Sequence, residues 1–132
     1  MISLLKLVTL SGAFLCMTLG LADAECLTRG SITIEEQHCL TALPLFPLPS
    51  GPDTIIFNGN MIPSRYRTCE LKLRTVDGTS PIHISKAAVA NAFQTSWNQC
   101  QGYSTIMIGD VQSPDTAVYL DIGAYKDQPG NP

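Results

Sequence analysis

"RYRTCELKLR", residues 65–74, carries the reading on which the fold depends. From Cys69 onward the side chains alternate. Cys69, Leu71, Leu73 and Thr75 share one side, while Glu70, Lys72 and Arg74 share the other. A period of two describes a strand with one buried and one wet face, and it places three charges outward as a matter of geometry. Asp77 and Gly78 end the run with a turn dipeptide. Arg65, Tyr66 and Arg67 fall before the regular alternation, so burial does not account for them. They are the candidate partner-binding residues.

Working outward, the next strands follow the same logic. "DTIIF", 53–57, is β-prone and bounded by Pro52 and the turn-forming Asn58, Gly59 and Asn60. After "MIPSRY", 61–66, comes the alternating strand itself. "STIMI", 104–108, and "TAVYLDI", 116–122, read as a hairpin joined by the polar "GDVQSPD". In its second strand Val118, Leu120 and Ile122 face one way, and Ala117, Tyr119 and Asp121 the other.

Two segments switch to helical spacing. "TIEEQHCLTAL", 33–43, opens with Thr33 and Glu36 in a capping-box relation and stops at Pro44. Ser85 to Cys100 places Val89, Ala92, Phe93, Ser96, Trp97 and Cys100 at steps of three and four, with Ser85 as N-cap and Gly102 as stop. The Val89, Phe93, Trp97 stripe reads as core. Between the first helix and the first strand lies "PLFPLPSGP", 44–52, where four prolines forbid a helix or a central strand. Leu45, Phe46 and Leu48 mark it as a loop laid over the core.

The resulting order is helix, strand, strand, helix, strand, strand. The sheet has four strands, or five if a short strand forms near residues 26–32. Alternating strands need only one covered face, so the expected class is α+β, with two helices on one face of an antiparallel sheet.

The N-terminus fixes the compartment expected for this fold. Lys6, the apolar run Leu7 to Leu21, and the small residues Ala22 and Ala24 have the layout of a secretory signal peptide over residues 1–24. The apolar run is shorter than the roughly 20 residues that span a bilayer, so no membrane span is expected in the mature form. Residues 25–125 then form a single domain and 126–132 a flexible tail. The formal charge of the whole chain is −3, and setting aside Lys6 and Asp23 leaves it unchanged. A nucleic-acid partner is therefore not expected.

Of the five cysteines, Cys16 lies in the signal segment, leaving Cys26, Cys39, Cys69 and Cys100. Four cysteines in a small secreted domain predict two disulfides, with three possible connectivities. Geometry favours one of these. Strand 68–74 spans about 23 Å and helix 86–99 about 21 Å. A helix returning antiparallel along that strand brings Cys100 beside Cys69, which leaves Cys26 for Cys39.

No catalytic or metal site is predicted, and no cofactor. His38 and His83 stand apart without metal-ligand spacing, and a disulfide-bound Cys39 gives His38 no thiolate to activate. Asp110 and Asp115 are too few oxygens for calcium. A ribonuclease-like site has its residue types in His83, Glu70, Lys72 and Arg74, but lacks any sign of a cleft.

The succession "EEQHCLTALPLFP", "IIF", "SRYRTCELKL", "ISKAAVANAFQTSWNQC" and a final strand hairpin resembles fungal cysteine-containing small secreted proteins. These include necrosis-inducing effector-like and killer-toxin-like proteins of small α+β sandwich fold. The resemblance covers most of residues 26–123 and carries no catalytic residues with it. It implies a secreted, non-enzymatic protein that binds an unknown protein or glycan target at the surface of a host or competing cell. The first alternative is a lectin-like module in which Tyr66, Tyr103, Tyr119 or Trp97 stacks on sugar rings. The second is the small ribonuclease-like enzyme.

Overall fold

Cys69–Thr75 forms a strand whose burial alternates residue by residue, and it lies inside a sheet rather than at its margin. The computed structural model describes residues 23–46, 53–109 and 117–126. The elements in order are β1 (Glu25–Cys26), α1 (Glu36–Ala42) running into a 3-10 turn (Leu43–Leu45), β2 (Thr54–Phe57), β3 (Met61–Tyr66), β4 (Cys69–Thr75), β5 (Ile82–Ser85), α2 (Lys86–Cys100), β6 (Ser104–Ile108) and β7 (Val118–Ala124). The class is α+β. Five strands make an antiparallel sheet in the order β1-β6-β7-β4-β3, and β2 pairs with β5 in a second, two-stranded sheet.

Register decides what each face carries. Leu71 pairs with Ile122, Leu73 with Leu120, Ile62 with Leu73, and Ile106 with Leu120. All of these side chains are buried on one face. Both helices cover that face. Cys39 of α1 is bonded to Cys69 of β4, and the Ser96 hydroxyl of α2 donates to Ser104 of β6 at 2.7 Å. Phe93, Val89 and Ala92 of α2 complete the core, together with Ile55, Ile82 and Ile84 of the two-stranded sheet. The expected stripe is core, with Trp97 half-buried and stacked on Phe93 at 5.9 Å.

The disulfides are Cys26–Cys100 and Cys39–Cys69, which corrects the expected pairing of Cys26 with Cys39 and Cys69 with Cys100. The reason is strand order. β7 inserts between β4 and β6, so the end of α2, which leads into β6, lies about two strand spacings (roughly 10 Å) from β4. That exceeds the Cα separation a disulfide bridges, about 7 Å at most. Cys100 meets β1 at the sheet edge instead, with Cα atoms 5.3 Å apart, while α1 sets Cys39 over Cys69 at 5.2 Å.

Other departures have equally local causes. Met61–Tyr66, given no element in the sequence, is the outer strand of the sheet, where Pro63 needs no N–H for a further neighbour. Ile82–Ser85 is a strand that runs straight into α2, and Ser85 caps that helix by accepting from Ala88 N–H at 3.1 Å. The left-handed residue after α2 is Gln101 (φ 54), one position before the expected Gly102. Thr33 does not cap α1. Glu35 is its N-cap without a side-chain bond, and the Glu35 N–H donates to Thr68 Oγ1 at 3.1 Å, a tertiary partner in place of a local one. In the proline-rich segment Phe46 is buried as expected and Leu45 is exposed. Leu48, Asp110, Asp115, most of the signal segment and most of the tail lie outside the described residues. No helix among the described residues is long and apolar enough to cross a membrane.

Candidate binding face

With both helices on one side, the other side of the five-stranded sheet has no covering element among the described residues. Alternation sets its composition: Glu70, Lys72 and Arg74 from β4, Met61 and Arg65 from β3, Tyr119 and Asp121 from β7, Thr105 and Met107 from β6, and Glu25 from β1. Register makes neighbours of Arg65 and Glu70, of Lys72 and Asp121, and of Arg74 and Tyr119.

These neighbours are engaged with one another. Arg65 Nε donates to Glu70 Oε2 at 2.5 Å, and Lys72 Nζ lies 3.9 Å from Glu70 Oε1. Arg74 grips Asp121 with two donors, Nε at 2.6 Å and the second guanidinium nitrogen at 3.3 Å. The Thr105 hydroxyl donates to the same carboxylate at 2.5 Å. Each arginine also lies over a ring, Arg74 over Tyr119 at 4.3 Å and Arg65 over Tyr125 at 5.1 Å. The hydrogen bond to Glu70 raises the pKa of Arg65, and that to Asp121 raises the pKa of Arg74. Both cations are fixed at any physiological pH. Exposed pairs of this kind contribute only about 0–1 kcal/mol each to stability, so their geometry matters more than their energy.

The structure divides the three candidate residues. Arg65 belongs to the open face. Tyr66 points to the helix side, where it packs against the core with its ring edge-on to His38, centroids 5.7 Å apart. Arg67 occupies the β3–β4 turn with φ 50, its Nε donating to the Tyr66 hydroxyl at 3.2 Å and its guanidinium 5.5 Å from that ring's centre. A left-handed backbone costs a non-glycine residue about 1 kcal/mol or more, so the turn is held by its surroundings. Those surroundings include His38 and Thr68. Thr68 N–H donates to His38 Nδ1 at 3.3 Å, and the Thr68 hydroxyl lies 2.8 Å from the same nitrogen.

The aromatic residues expected to stack on sugars all have contacts within the chain. Tyr66 lies under Arg67, Tyr119 under Arg74, and Trp97 on Phe93. The Tyr103 hydroxyl donates to the Ile32 carbonyl at 2.8 Å, and its ring lies against Gly30 closely enough that a Cβ there would fall 2.8 Å from the hydroxyl. The ribonuclease-like set is not assembled. His83 is on the two-stranded sheet opposite Ile56, whereas Glu70, Lys72 and Arg74 are on the five-stranded one. Among the described residues no three His, Cys, Asp or Glu side chains converge as metal ligands. A cavity beside Arg29, Thr33, Gln101 and Tyr103 measures about 40 Å³, enough for waters and far below the size of an organic-ligand pocket.

Sequence reasoning missed Tyr119, Asp121, Thr105 and Tyr125 as companions of the β4 charges. The alternation in "TAVYLDI" puts Tyr119 and Asp121 on one face, but nothing in it says that β7 lies beside β4. No protein-family model matches the chain, and no curated protein matches it.

Proposed function

We propose that this chain is a secreted, non-enzymatic binding protein of effector or toxin type, acting on a host or competing cell through the open face of its five-stranded sheet. The observation that carries the reading is the paired arginine and tyrosine array on that face: Arg74 on Tyr119 and Arg65 on Tyr125, each arginine also held by a carboxylate. Arginine, tyrosine and methionine are enriched in protein interfaces, and the face presents all three. Fixing the guanidinium groups before contact lowers the entropy lost on binding.

The partner expected is a protein. Arg65, Lys72 and Arg74 are balanced by Glu70, Asp121 and Glu25, which suits a mixed-charge protein surface better than a polyanion. Sugar stacking needs a bare ring, and Tyr119 already carries a guanidinium. The face covers roughly 450 Å², from strands about 23 Å long at about 4.8 Å spacing. A standard interface buries about 800 Å² per partner, so the contact extends onto the β3–β4 turn. Two disulfides and the signal-like N-terminus support an extracellular setting, and the resemblance to small sandwich-fold fungal proteins supports the target class.

The test is to apply labelled, oxidised protein to candidate host tissue and to competing microbial cells. Saturable binding that the Arg65→Glu/Arg74→Glu double variant loses while keeping its melting temperature supports the reading. If neither surface binds the protein, or if both proteins bind alike, the reading is wrong.

A further inference from the structure

We infer that His38 is a pH-sensitive latch on the β3–β4 turn, so that protonating its ring releases Thr68 and loosens the Arg65–Arg67 end of the proposed binding surface. The consequence for binding rests on the function proposed above; the latch itself does not.

The hydrogen bonds fix the ring's resting state. A backbone N–H only donates, so His38 Nδ1, which receives the Thr68 N–H at 3.3 Å, is an acceptor. The ring proton then sits on Nε2, 3.5 Å from Glu35 Oε2. The Thr68 hydroxyl accepts from Glu35 N–H at 3.1 Å, which leaves its own proton to point at Nδ1, 2.8 Å away. Both donors of Thr68 therefore converge on one lone pair.

A second proton on the ring reverses this. Nδ1–H then faces an amide N–H, donor against donor. The Thr68 hydroxyl turns to accept, but the amide cannot. Among the described residues, the following charged and titratable groups lie around the ring. Glu35, on the same segment, attracts the imidazolium at Nε2. Arg67 and Tyr66 come from the turn packed against it, and the neighbouring Cys39–Cys69 bond does not titrate. In the imidazolium the contact at Nε2 persists, while the donor-against-donor conflict at Nδ1 breaks the amide bond. Histidine is the side chain whose ordinary titration falls between about pH 5 and 8.

The turn is built to pass this on. Cys69 is tied to α1 through Cys39 and stays in place, so displacement falls on Arg67 and Thr68. Arg67 is already in the left-handed region. On the far side, the Thr68 carbonyl accepts Tyr125 N–H at 2.9 Å, and Arg65 lies over the Tyr125 ring. Loosening Thr68 therefore disturbs the platform under Arg65. Binding is expected to weaken over the pH interval in which the ring takes up its second proton.

The experiment is a nuclear magnetic resonance titration of the oxidised protein from about pH 7.5 to 5, following the His38 ring and the Thr68 amide. The latch predicts that the Thr68 shift tracks ring protonation and that its exchange protection factor drops roughly five- to tenfold, the loss of one net hydrogen bond. Amides in the middle of β7 should hold their protection. A Thr68 amide that stays protected while the ring titrates overturns the latch, as does a ring that remains neutral to pH 5. No partner is needed for this measurement. If Thr68 follows His38 but no cell surface binds, only the proposed function falls. If binding occurs and does not vary over the same interval, the coupling to binding is refuted.

Discussion

The Arg74 guanidinium carbon sits 4.3 Å from the centre of the Tyr119 ring while its Nε bonds Asp121 at 2.6 Å, so one side chain is fixed by stacking and by a carboxylate at once. Removing it should separate binding from folding. Because the side chain is about 42% exposed, Arg74→Ala should cost under about 1 kcal/mol of stability. Surface binding should drop at least about tenfold, as for a central interface arginine. Arg74→Lys keeps the charge but not the two-donor grip or the flat stack, and should behave like alanine in binding. Thermal unfolding and a binding isotherm on the same samples check both statements; full binding by Arg74→Lys would reduce the residue's role to bare charge.

The disulfides close loops of 74 and 30 residues, and chain entropy assigns about 4 kcal/mol to each. Either loss is a large share of the stability of a small domain. Replacing Cys39 and Cys69 together by serine should lower the melting temperature by well over 10 °C, since about 1 kcal/mol shifts such a domain by roughly 4–8 °C. Mapping of unreduced peptides should recover Cys26 with Cys100 and Cys39 with Cys69. Recovery of Cys69 with Cys100 would mean that β7 does not separate β4 from β6.

Ser96 and Ser104 form a buried hydroxyl pair between α2 and β6, and Ser104 passes its own proton to the Gly102 carbonyl at 3.0 Å. Ser104→Ala strands a donor on Ser96 and an acceptor on Gly102, at a cost of about 1–3 kcal/mol. With Ser96→Ala added, the stranded hydroxyl disappears. The double variant should therefore lose less than the sum of the two single losses, by about 0.5 kcal/mol or more in a double-mutant cycle. Strict additivity would show that the two hydroxyls do not interact.

The alternation of "CELKLR" was enough to assign β4 its inner and outer residues, and the three- and four-residue steps from Val89 to Cys100 were enough for α2. Both are patterns one element writes within its own length. What the sequence did not contain was adjacency. β7 lies between β4 and β6, and that placement determines both the disulfide pairing and the contact of Arg74 with Tyr119. It is set by packing between segments more than 40 residues apart, such as Arg74 and Asp121, 47 positions apart. Met61–Tyr66 carries no element in the sequence reading, and its Pro63 fits a strand only once that strand is known to be at an edge. Thr33 failed as a cap for a similar reason, since the donor of Glu35 found Thr68, 33 positions away.

Asp77 offers a test of the loop that joins β4 to β5. Its Oδ1 accepts Thr79 N–H at 2.9 Å and Ser80 N–H at 2.8 Å, and its Oδ2 meets the Ser80 hydroxyl. The bond from the Ser80 hydroxyl, then those from the two backbone donors, hold the carboxyl well below the usual carboxylate range. A folded-state pKa lower than the unfolded one stabilises the protein above the unfolded value, about pH 4, and that contribution is lost as the pH falls through the folded one. Asp77→Asn removes the titration while keeping an acceptor. The stability gap between the wild type and this variant should be constant from about pH 7 to 5 and shrink steadily below about pH 4. Melting curves collected across that range for both proteins decide the matter, and a gap that persists unchanged into strong acid would show that the Asp77 charge adds nothing to the loop.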